Sequence, residues 1–467
     1  MPGLLLTNAL LVTGAFCRKG ALAIDGERIA GIWLRDGREC DDARACAEFP
    51  LAEVIDLGGK LLLAGAVDLH VHFREPGLTR KGDLSSESRA ALLGGVTAFF
   101  DMPNTNPPTI SEEALAAKLL LAEGRAWTHY GFHFGATNHN VGEIRAALAR
   151  DGGTAFGGVK VFMGSSTGNM LVDRESALRE LFRLRGKEIL LHSEDEGTIR
   201  ANLAAAKARW GADIPFSAHP AVRSRSACIK STAKALEMAM EYGTRLHILH
   251  VSTAEEVEMI RVAKRDHPGI TAETSANYLW FCDADYASLG GRIKCNPAIK
   301  AEADRAALRQ GVLDGTIDTI GSDHAPHLLA EKEQPYLSCP SGIPSIQHAL
   351  PVVASVAQGW NAAGRADVPA IPWQRIAAAC SEKAAEMMGL EDRGALRVGH
   401  YADLVVLDPD AVQPADEPAY KCGWTPYSGT ALHAAVKMVF LDGRLAVRDG
   451  QLLERAPSGQ RLHFRNR

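Results

Sequence analysis

The stretch Leu63-Ala-Gly-Ala-Val-Asp-Leu-His-Val-His-Phe-Arg-Glu-Pro-Gly77 carries the pattern from which the fold is predicted. It begins as a run of small and branched apolar residues, which is typical of a strand buried in a parallel sheet. The run ends in His70 and His72, and residues two apart on a strand point to the same side. Neutral imidazole is the commonest protein ligand of zinc-like metals, so the pair predicts a metal site. Two surface histidines on an edge strand are the alternative, but the neighbouring residues are too apolar for an exposed edge.

Apolar strands and helical patterns alternate from this stretch onward. Eight strands are predicted, the first starting at Leu63 and the others spanning 97–102, 129–136, 157–163, 188–193, 245–251, 270–275 and 317–322. Eight strand–helix units predict an α/β fold in the form of a closed (β/α)8 barrel. An open doubly wound sheet is the weaker alternative.

Both ends of the chain are rich in predicted strands, at 3–12, 20–25 and 28–34 and again at 402–408 and 436–447. Neither end alone offers enough strands for a stable sheet. We therefore expect residues 1–59 and 393–467 to pair into one small β-sandwich domain beside a barrel of residues 60–392.

Composition excludes several classes of function. The 467 residues include 51 Lys and Arg against 56 Asp and Glu, a net charge of -5 with no dominant basic block, which argues against nucleic acid as a partner. Nine scattered cysteines without a C-x-x-C motif indicate reduced thiols. The sequence has no apolar run long enough to cross a bilayer and no cleavage pattern, so a cytoplasmic protein without a membrane partner is expected.

Polar residues fall in, or at the end of, five different predicted strands. They are His70, His72, Lys160, His192, His250 and Asp323. In a barrel these strand ends meet at one mouth, where such folds hold their active sites. A single buried histidine is ordinarily a hydrogen-bonded core residue, but packing does not explain polar residues at the same end of five strands.

Four histidines and one aspartate can hold two divalent ions if an anion bridges them. Lys160 suits that position if its neutral amine carries CO₂ as a carbamate, whereas a salt-bridged or Schiff-base lysine is the alternative. Two metals sharing a hydroxide supply a nucleophile and a Lewis acid. Asp323 could take the hydroxide's proton and return it to a leaving nitrogen. Nitrogen and oxygen ligands favour zinc.

This set of residues resembles the amidohydrolase superfamily, and more narrowly its cyclic amidases, the dihydroorotases, hydantoinases and allantoinases. The resemblance runs from the N-terminal strands to the segment Lys421-Cys-Gly-Trp-Thr-Pro-Tyr-Ser428. Within the group, His70-Val-His-Phe-Arg-Glu-Pro-Gly77 is similar to dihydroorotases, in which the arginine after the second histidine binds the substrate carboxylate. Lys160 matches the carbamylated lysine of the members that have one.

The resemblance also implies a set of substrate contacts. A planar, permanently charged guanidinium such as that of Arg74 can hold a carboxylate through two hydrogen bonds. Asn104, in Met102-Pro-Asn-Thr105, and His327, in Asp323-His-Ala-Pro-His327, are implied at the same carboxylate. Asn296 is implied at the ring, together with the backbone amides of Ser341 and Gly342. Ordinary turn residues are the alternative for the two asparagines.

One departure concerns the segment after the seventh strand. Many dihydroorotases carry a His-His pair there, whereas this chain has Ala276-Asn277-Tyr278-Leu279. The resemblance nevertheless implies a dihydroorotase of de novo pyrimidine (UMP) biosynthesis, which interconverts N-carbamoyl-L-aspartate and (S)-dihydroorotate plus water. A hydantoinase (dihydropyrimidinase) or an allantoinase is the enzymatic alternative, and an inactive scaffold subunit is the alternative of another class. A homodimer or a complex with a pathway enzyme is left open.

Overall fold

The computed structural model describes residues 3–35, 41–151, 153–165 and 170–465. The N-terminal part of the chain forms five strands and a short helix. These are β1 Leu4–Val12, β2 Cys17–Asp25, β3 Arg28–Leu34, α1 Asp41–Glu48, β4 Glu53–Asp56 and β5 Leu61–Ala64.

A barrel of parallel strands follows. Its strands are β6 Ala66–Val71, β7 Val96–Asp101, β8 His129–Phe132, β9 Phe134–Gly135, β10 Val159–Phe162, β11 Ile189–His192, β12 Leu246–Ile248, β13 Ile270–Ser275 and β14 Thr319–Gly321. β8 and β9 are separated only by His133 and together form one strand of the barrel wall. The wall therefore has eight strands, which are called staves below and are counted from β6. A parallel bridge between Val71 and His324 joins the first stave to the last. The predicted barrel is confirmed.

Helices cover the outside of the barrel and connect its strands. They are α2 Leu84–Leu93, α3 Glu112–Ala122, α4 Val141–Asp151, α5 Glu175–Phe182, α6 Glu196–Trp210, α7 His219–Val222, α8 Arg225–Tyr242, α9 Ala254–Asp266, α10 Ala276–Trp280, α11 Tyr286–Leu289, α12 Glu302–Asp314, α13 Leu329–Lys332, α14 Ile346–Ala357, α15 Trp373–Ala377 and α16 Lys383–Met388. A π-helical turn at Ala378–Glu382 joins the last two. Side-chain caps start several helices, such as Asp195 at α6 and Thr253 at α9.

The C-terminal part returns to strands. A small hairpin, β15 Trp360–Asn361 and β16 Gly364–Arg365, precedes β17 Leu404–Asp408, β18 Gln413–Pro414, β19 Ala431–Leu432, β20 Ala435–Leu441, β21 Arg444–Arg448 and β22 Gln451–Leu452. One sheet runs in the order β22-β21-β20-β17-β5-β1-β2-β3, with β4 paired to β1. The predicted β domain built from both chain ends is therefore confirmed, and its two halves share one buried apolar cluster.

The first predicted strand is divided in the structure. Leu61–Ala64 pairs with β1 and β17 in the terminal sheet, and the chain enters the barrel only after Gly65. A Cβ at Gly65 would lie 2.3 Å from the side chain of Thr97, so a glycine is needed where the chain passes between the two sheets. The residues on both sides of Gly65 are apolar, so the sequence does not show where the terminal sheet ends and the barrel begins.

None of the helices in the described ranges is long and apolar enough to span a membrane.

Candidate active site

Predicted ligands from the first and last staves lie side by side at the mouth of the barrel. Nε2 of His70 is 3.4 Å from Oδ1 of Asp323, and Nε2 of His72 is 3.5 Å from the same oxygen. Nδ1 of His70 is 2.8 Å from Oε1 of Glu273. Nδ1 of His72 is 2.8 Å from Oδ1 of Asn104. Because oxygen acceptors hold both Nδ1 atoms, each ring keeps its Nε2 lone pair for the side that faces Asp323.

The fifth and sixth staves bring a second pair of imidazoles together. Nδ1 of His192 lies 2.9 Å from Nε2 of His250. Nε2 of His192 lies 3.0 Å from Oε2 of Glu194, so the ring donates there and keeps its Nδ1 lone pair for the other side. The ring centres of His250 and His70 are 5.1 Å apart, and the two pairs therefore adjoin.

Lys160 lies on β10 and is fully buried. Within the described ranges its Nζ has no hydrogen-bond partner, and it lies 4.5 Å from the ring centre of Phe162. A buried ammonium without a partner is costly. Burial accordingly lowers the pKa of Lys160, which favours its neutral amine.

Burial also determines the charge of the histidines. It lowers the pKa of His70, His72 and His250 well below the ordinary value, and it lowers the pKa of His192 as well. Neutral imidazole is the form that binds metal ions. The pKa of Asp323 is raised by burial, as expected for a carboxyl group that can gain and lose a proton near neutrality.

Three residues around the site have left-handed backbone conformations. The φ angles are +68° at Arg74, +40° at His250 and +46° at Asp323. Residues other than glycine seldom adopt such angles, and where they do the surrounding structure must hold them.

A buried guanidinium lies next to the histidines. Arg74 is 2% exposed; its Nε donates to the carbonyl of Pro326 at 3.0 Å, and its Nη2 is 3.1 Å from Nε2 of His327. Lys81 approaches the other nitrogen of that imidazole, with 2.9 Å between Nζ and Nδ1. Burial lowers the pKa of Arg74 to about 10, so the group remains a cation at neutral pH.

A small cavity opens between these groups. His72, Arg74, Asn296, Asp323, Ser341 and Gly342 line it. With its amide oxygen and nitrogen exchanged so that both find partners, Asn296 donates to Oγ of Ser341 at 3.1 Å and accepts from Arg223 at 3.0 Å. Gly342 has φ +145°, and a Cβ there would lie 2.5 Å from the carbonyl oxygen of Ala325. A larger residue at this position would therefore clash with the cavity wall.

The structure thus brings together all six predicted metal ligands and most of the predicted substrate contacts. Asn104 and His327 differ, because neither lines the cavity. The carboxamide oxygen of Asn104 contacts His72, and the imidazole of His327 contacts Arg74 and Lys81. The predicted contact of these two residues with a substrate stays a prediction.

The comparisons with known proteins agree with this arrangement. The sequence profile of the amidohydrolase family matches residues 61–446. The chain belongs to the amidohydrolase family. Among its relatives, the dihydroorotase of Methanosarcina acetivorans is 36% identical over 389 residues, covering 80% of this chain and 79% of that one. The allantoinase of Streptomyces avermitilis is 30% identical over 470 residues, covering 98% of each.

A solved structure extends the likeness to the whole fold. The L-hydantoinase (dihydropyrimidinase) of Arthrobacter aurescens superimposes with a TM-score of 0.88 at 26% identity, covering 99% of this chain and 100% of that one. Family, relatives and fold together make this amidohydrolase a metal-dependent enzyme that acts on cyclic amides.

Several functional groups of this amidohydrolase were missed in the sequence. Glu273 orients His70 and Glu194 orients His192. Arg223 donates to Glu194 at 2.7 Å and so joins that support to Asn296. A signal was present for Glu194, because it follows an apolar strand and lies only two residues after its partner His192. The partner of Glu273 is His70, 203 residues away on another stave, and sequence spacing does not reveal it.

Proposed function

We propose that this amidohydrolase is a dihydroorotase, which closes N-carbamoyl-L-aspartate to (S)-dihydroorotate with loss of water and catalyses the reverse. The observation that carries the proposal is Arg74, a cation that lines the small cavity beside His72 and Asp323. Dihydroorotate has a carboxylate on its ring, whereas hydantoin and allantoin have none. An enzyme whose substrate has no carboxylate would gain nothing from burying a charged arginine beside its reacting groups.

The donor set suits two divalent cations. His70, His72, His192, His250 and Asp323 would be their ligands, and Lys160 would bridge them as a carbamate. Nζ of Lys160 has no hydrogen-bond partner among the described residues, and burial lowers its pKa. Both observations support this assignment, because only a neutral amine adds CO₂. The ions would supply Lewis acidity toward the ring carbonyl and lower the pKa of water.

The protein's own groups would perform the rest of the reaction. Arg74 and His327 would hold the substrate carboxylate, while Asn296 and the backbone amides of Ser341 and Gly342 would contact the ring. In ring opening, Asp323 would accept a proton from the attacking water and deliver it to the nitrogen that leaves the carbonyl carbon. One water is consumed and one C–N bond breaks, and the reverse sequence closes the ring.

Turnover of three cyclic amides tests the proposal. The protein, loaded with zinc in bicarbonate buffer, is assayed with dihydroorotate, hydantoin and allantoin. We expect kcat/KM for dihydroorotate to exceed the other two values by roughly 100-fold, as one desolvated charge-assisted contact allows. Faster turnover of allantoin or hydantoin would identify the enzyme as an allantoinase or hydantoinase, and no turnover of any of them would indicate a scaffold protein.

A further inference from the structure

Three side chains donate to a single backbone carbonyl next to Asp323. The carbonyl of Ser322 accepts from Oγ of Ser275 at 3.1 Å, from Nδ2 of Asn277 at 3.1 Å and from Oγ of Ser345 at 2.9 Å. The amide of the same residue donates to the carboxylate of Asp68 at 3.2 Å. The peptide unit that precedes Asp323 is therefore held at its carbonyl, and the peptide unit before that one is held at its amide.

That peptide unit determines the backbone angle of Asp323. The Ser322 carbonyl belongs to the bond that leads into Asp323, so its direction and the φ of +46° change together. A non-glycine residue in this conformation tends to relax to negative φ unless its neighbours prevent it. Relaxation would swing the Asp323 carboxylate away from His70 and His72.

The carboxamide of Asn277 is in turn oriented by Tyr427, which lies 150 positions further along the chain. The hydroxyl of Tyr427 donates to Oδ1 of Asn277 at 2.6 Å, and both residues are buried. Since the hydroxyl holds the oxygen of the carboxamide, the amide nitrogen must face the Ser322 carbonyl. The ring of Tyr427 stacks on Phe281 with an interplanar angle of 11°, which fixes the hydroxyl.

We infer that Asn277 and Tyr427 form a positioning pair, which holds the peptide before Asp323 so that its carboxylate stays aimed at the reacting centre. The inference rests on the proposed function only in giving Asp323 the proton transfer. It also assigns a task to the segment Ala276-Asn277-Tyr278-Leu279, where many dihydroorotases have a His-His pair. A neutral histidine, like an asparagine, can accept from one group and donate to another, as the contacts with Tyr427 and with the Ser322 carbonyl require.

The adjacent residue provides a matched comparison. The hydroxyl of Tyr278 donates to the carbonyl of Pro297 at 2.6 Å, and Pro297 follows Asn296 in the wall of the cavity. Two consecutive residues thus support different parts of the site. Asn277 acts on the proton-transfer group, and Tyr278 acts on the wall that contacts the substrate.

The test is a split between kcat and KM. Tyr427→Phe and Asn277→Ala should lower kcat roughly 10- to 100-fold, the usual cost of losing an outer partner of a site residue, with KM within about threefold. Asn277→His should restore kcat to within about threefold of the wild type. Tyr278→Phe should instead raise KM and leave kcat nearly unchanged. A rise in KM alone for Tyr427→Phe, or no rescue by Asn277→His, would overturn the inference.

A crystallographic measurement separates this inference from the proposed function. The assays use whichever cyclic amide the wild type opens, and failure to open any of them counts against the proposed function alone. The φ of Asp323 in crystals of Tyr427→Phe decides the positioning role in either case. A shift to negative φ, or two alternative conformations, supports it, and an unchanged angle near +46° contradicts it.

Discussion

Arg74 illustrates how a single residue can select a substrate. Its guanidinium is buried, and a carbonyl and an imidazole hold two of its nitrogens, so its orientation is set before any substrate arrives. Such preorganisation lets a charged hydrogen bond contribute its full free energy, because little side-chain entropy is lost on binding.

Arg74→Met should therefore raise KM for dihydroorotate. A charge-assisted hydrogen bond contributes about 1.5–3 kcal/mol, which corresponds to roughly 10- to 150-fold in KM. Arg80→Met is the matched control, because that side chain is 71% exposed and pairs with Glu331, and its effect should stay within about twofold. Steady-state kinetics with dihydroorotate and with dihydrouracil, which lacks the carboxylate, provide the comparison. An equal loss on both substrates would show that Arg74 does not bind the carboxylate.

Lys160 gives the second prediction at this scale. Lys160→Gln should reduce the bound zinc from about two equivalents to about one, because the bridging carbamate cannot form. Lys187→Gln is a suitable control, since Lys187 is a buried lysine of the barrel that packs on Phe464 instead of facing the histidines. Metal content by mass spectrometry decides the matter, and two equivalents retained by Lys160→Gln would exclude the bridge.

At the residue scale the six candidate ligands are recognisable in the sequence because each is a polar residue in, or at the end of, an apolar strand. Their supporting partners are harder to predict. Glu273 lies 203 residues from His70, and the direction of the His70 ring depends on a contact that only the closed barrel creates. The backbone angle of Asp323 likewise depends on Ser275, Asn277 and Ser345, which come from two separate segments of the chain.

Among the elements, the segment from α13 to Gly342 bears most directly on the cavity. Lys332, at the end of α13, is buried, and its Nζ donates to the carbonyls of Lys294 at 2.9 Å, Pro340 at 2.8 Å and Gly342 at 2.8 Å. One ammonium thus holds the backbone that presents Ser341 and Gly342. The sequence indicates a loop here, but a long charged side chain inside it gives no sign of being buried.

Lys332→Met should loosen this segment. Three buried carbonyls would lose their donor, which should lower the free energy of unfolding by about 3 kcal/mol and raise KM as the cavity wall moves. Lys383→Met serves as the control, because Lys383 is an exposed helix residue paired with Glu386, and its effect should stay within about 0.5 kcal/mol. Urea unfolding and steady-state kinetics measure both effects. A change in KM without a loss of stability would contradict this account of Lys332.

The strands themselves are the most predictable elements, since buried parallel strands have a clear apolar pattern. The observed strands fall within three residues of most predicted limits. The exception at Gly65 arises because a strand of the terminal sheet and a strand of the barrel follow one another with a single glycine between them.

At the scale of the whole molecule, an ionic cluster joins the barrel to the terminal sheet. Arg393 pairs with Asp403 and, at 2.9 Å, with Asp442, and Nε2 of His129 lies 3.2 Å from Asp403. His129 begins the barrel strand β8, whereas the two aspartates flank strands of the terminal sheet. The pairing of the chain ends was predictable from the shortage of strands at each end, but partners up to 313 residues apart gave no local signal for this cluster.

The cluster carries the last prediction, which concerns stability and its dependence on pH. Burial alone would raise the pKa of Asp403, but His129 and Arg393 lower it, so the carboxylate contributes stability above its ordinary pKa near 4 and loses it in acid. Burial opposes the charging of His129, yet Asp403 raises the pKa of this histidine above the ordinary 6.5. The contribution of His129 to stability is therefore fully present below about pH 6.5 and is lost as the pH rises through the pKa of His129 in the folded protein.

Arg393→Met should therefore destabilise the protein by about 3–5 kcal/mol near pH 8, where two buried carboxylates would lack their cation. The deficit should shrink by pH 5, because His129 is then protonated and supplies a positive charge in place of the arginine. Arg397→Met, an exposed arginine four residues away, should change stability by less than about 0.5 kcal/mol at either pH. Denaturant unfolding of both variants at pH 5 and pH 8 measures the two differences. A deficit for Arg393→Met that is the same at both pH values would show that His129 does not share the charge of the cluster.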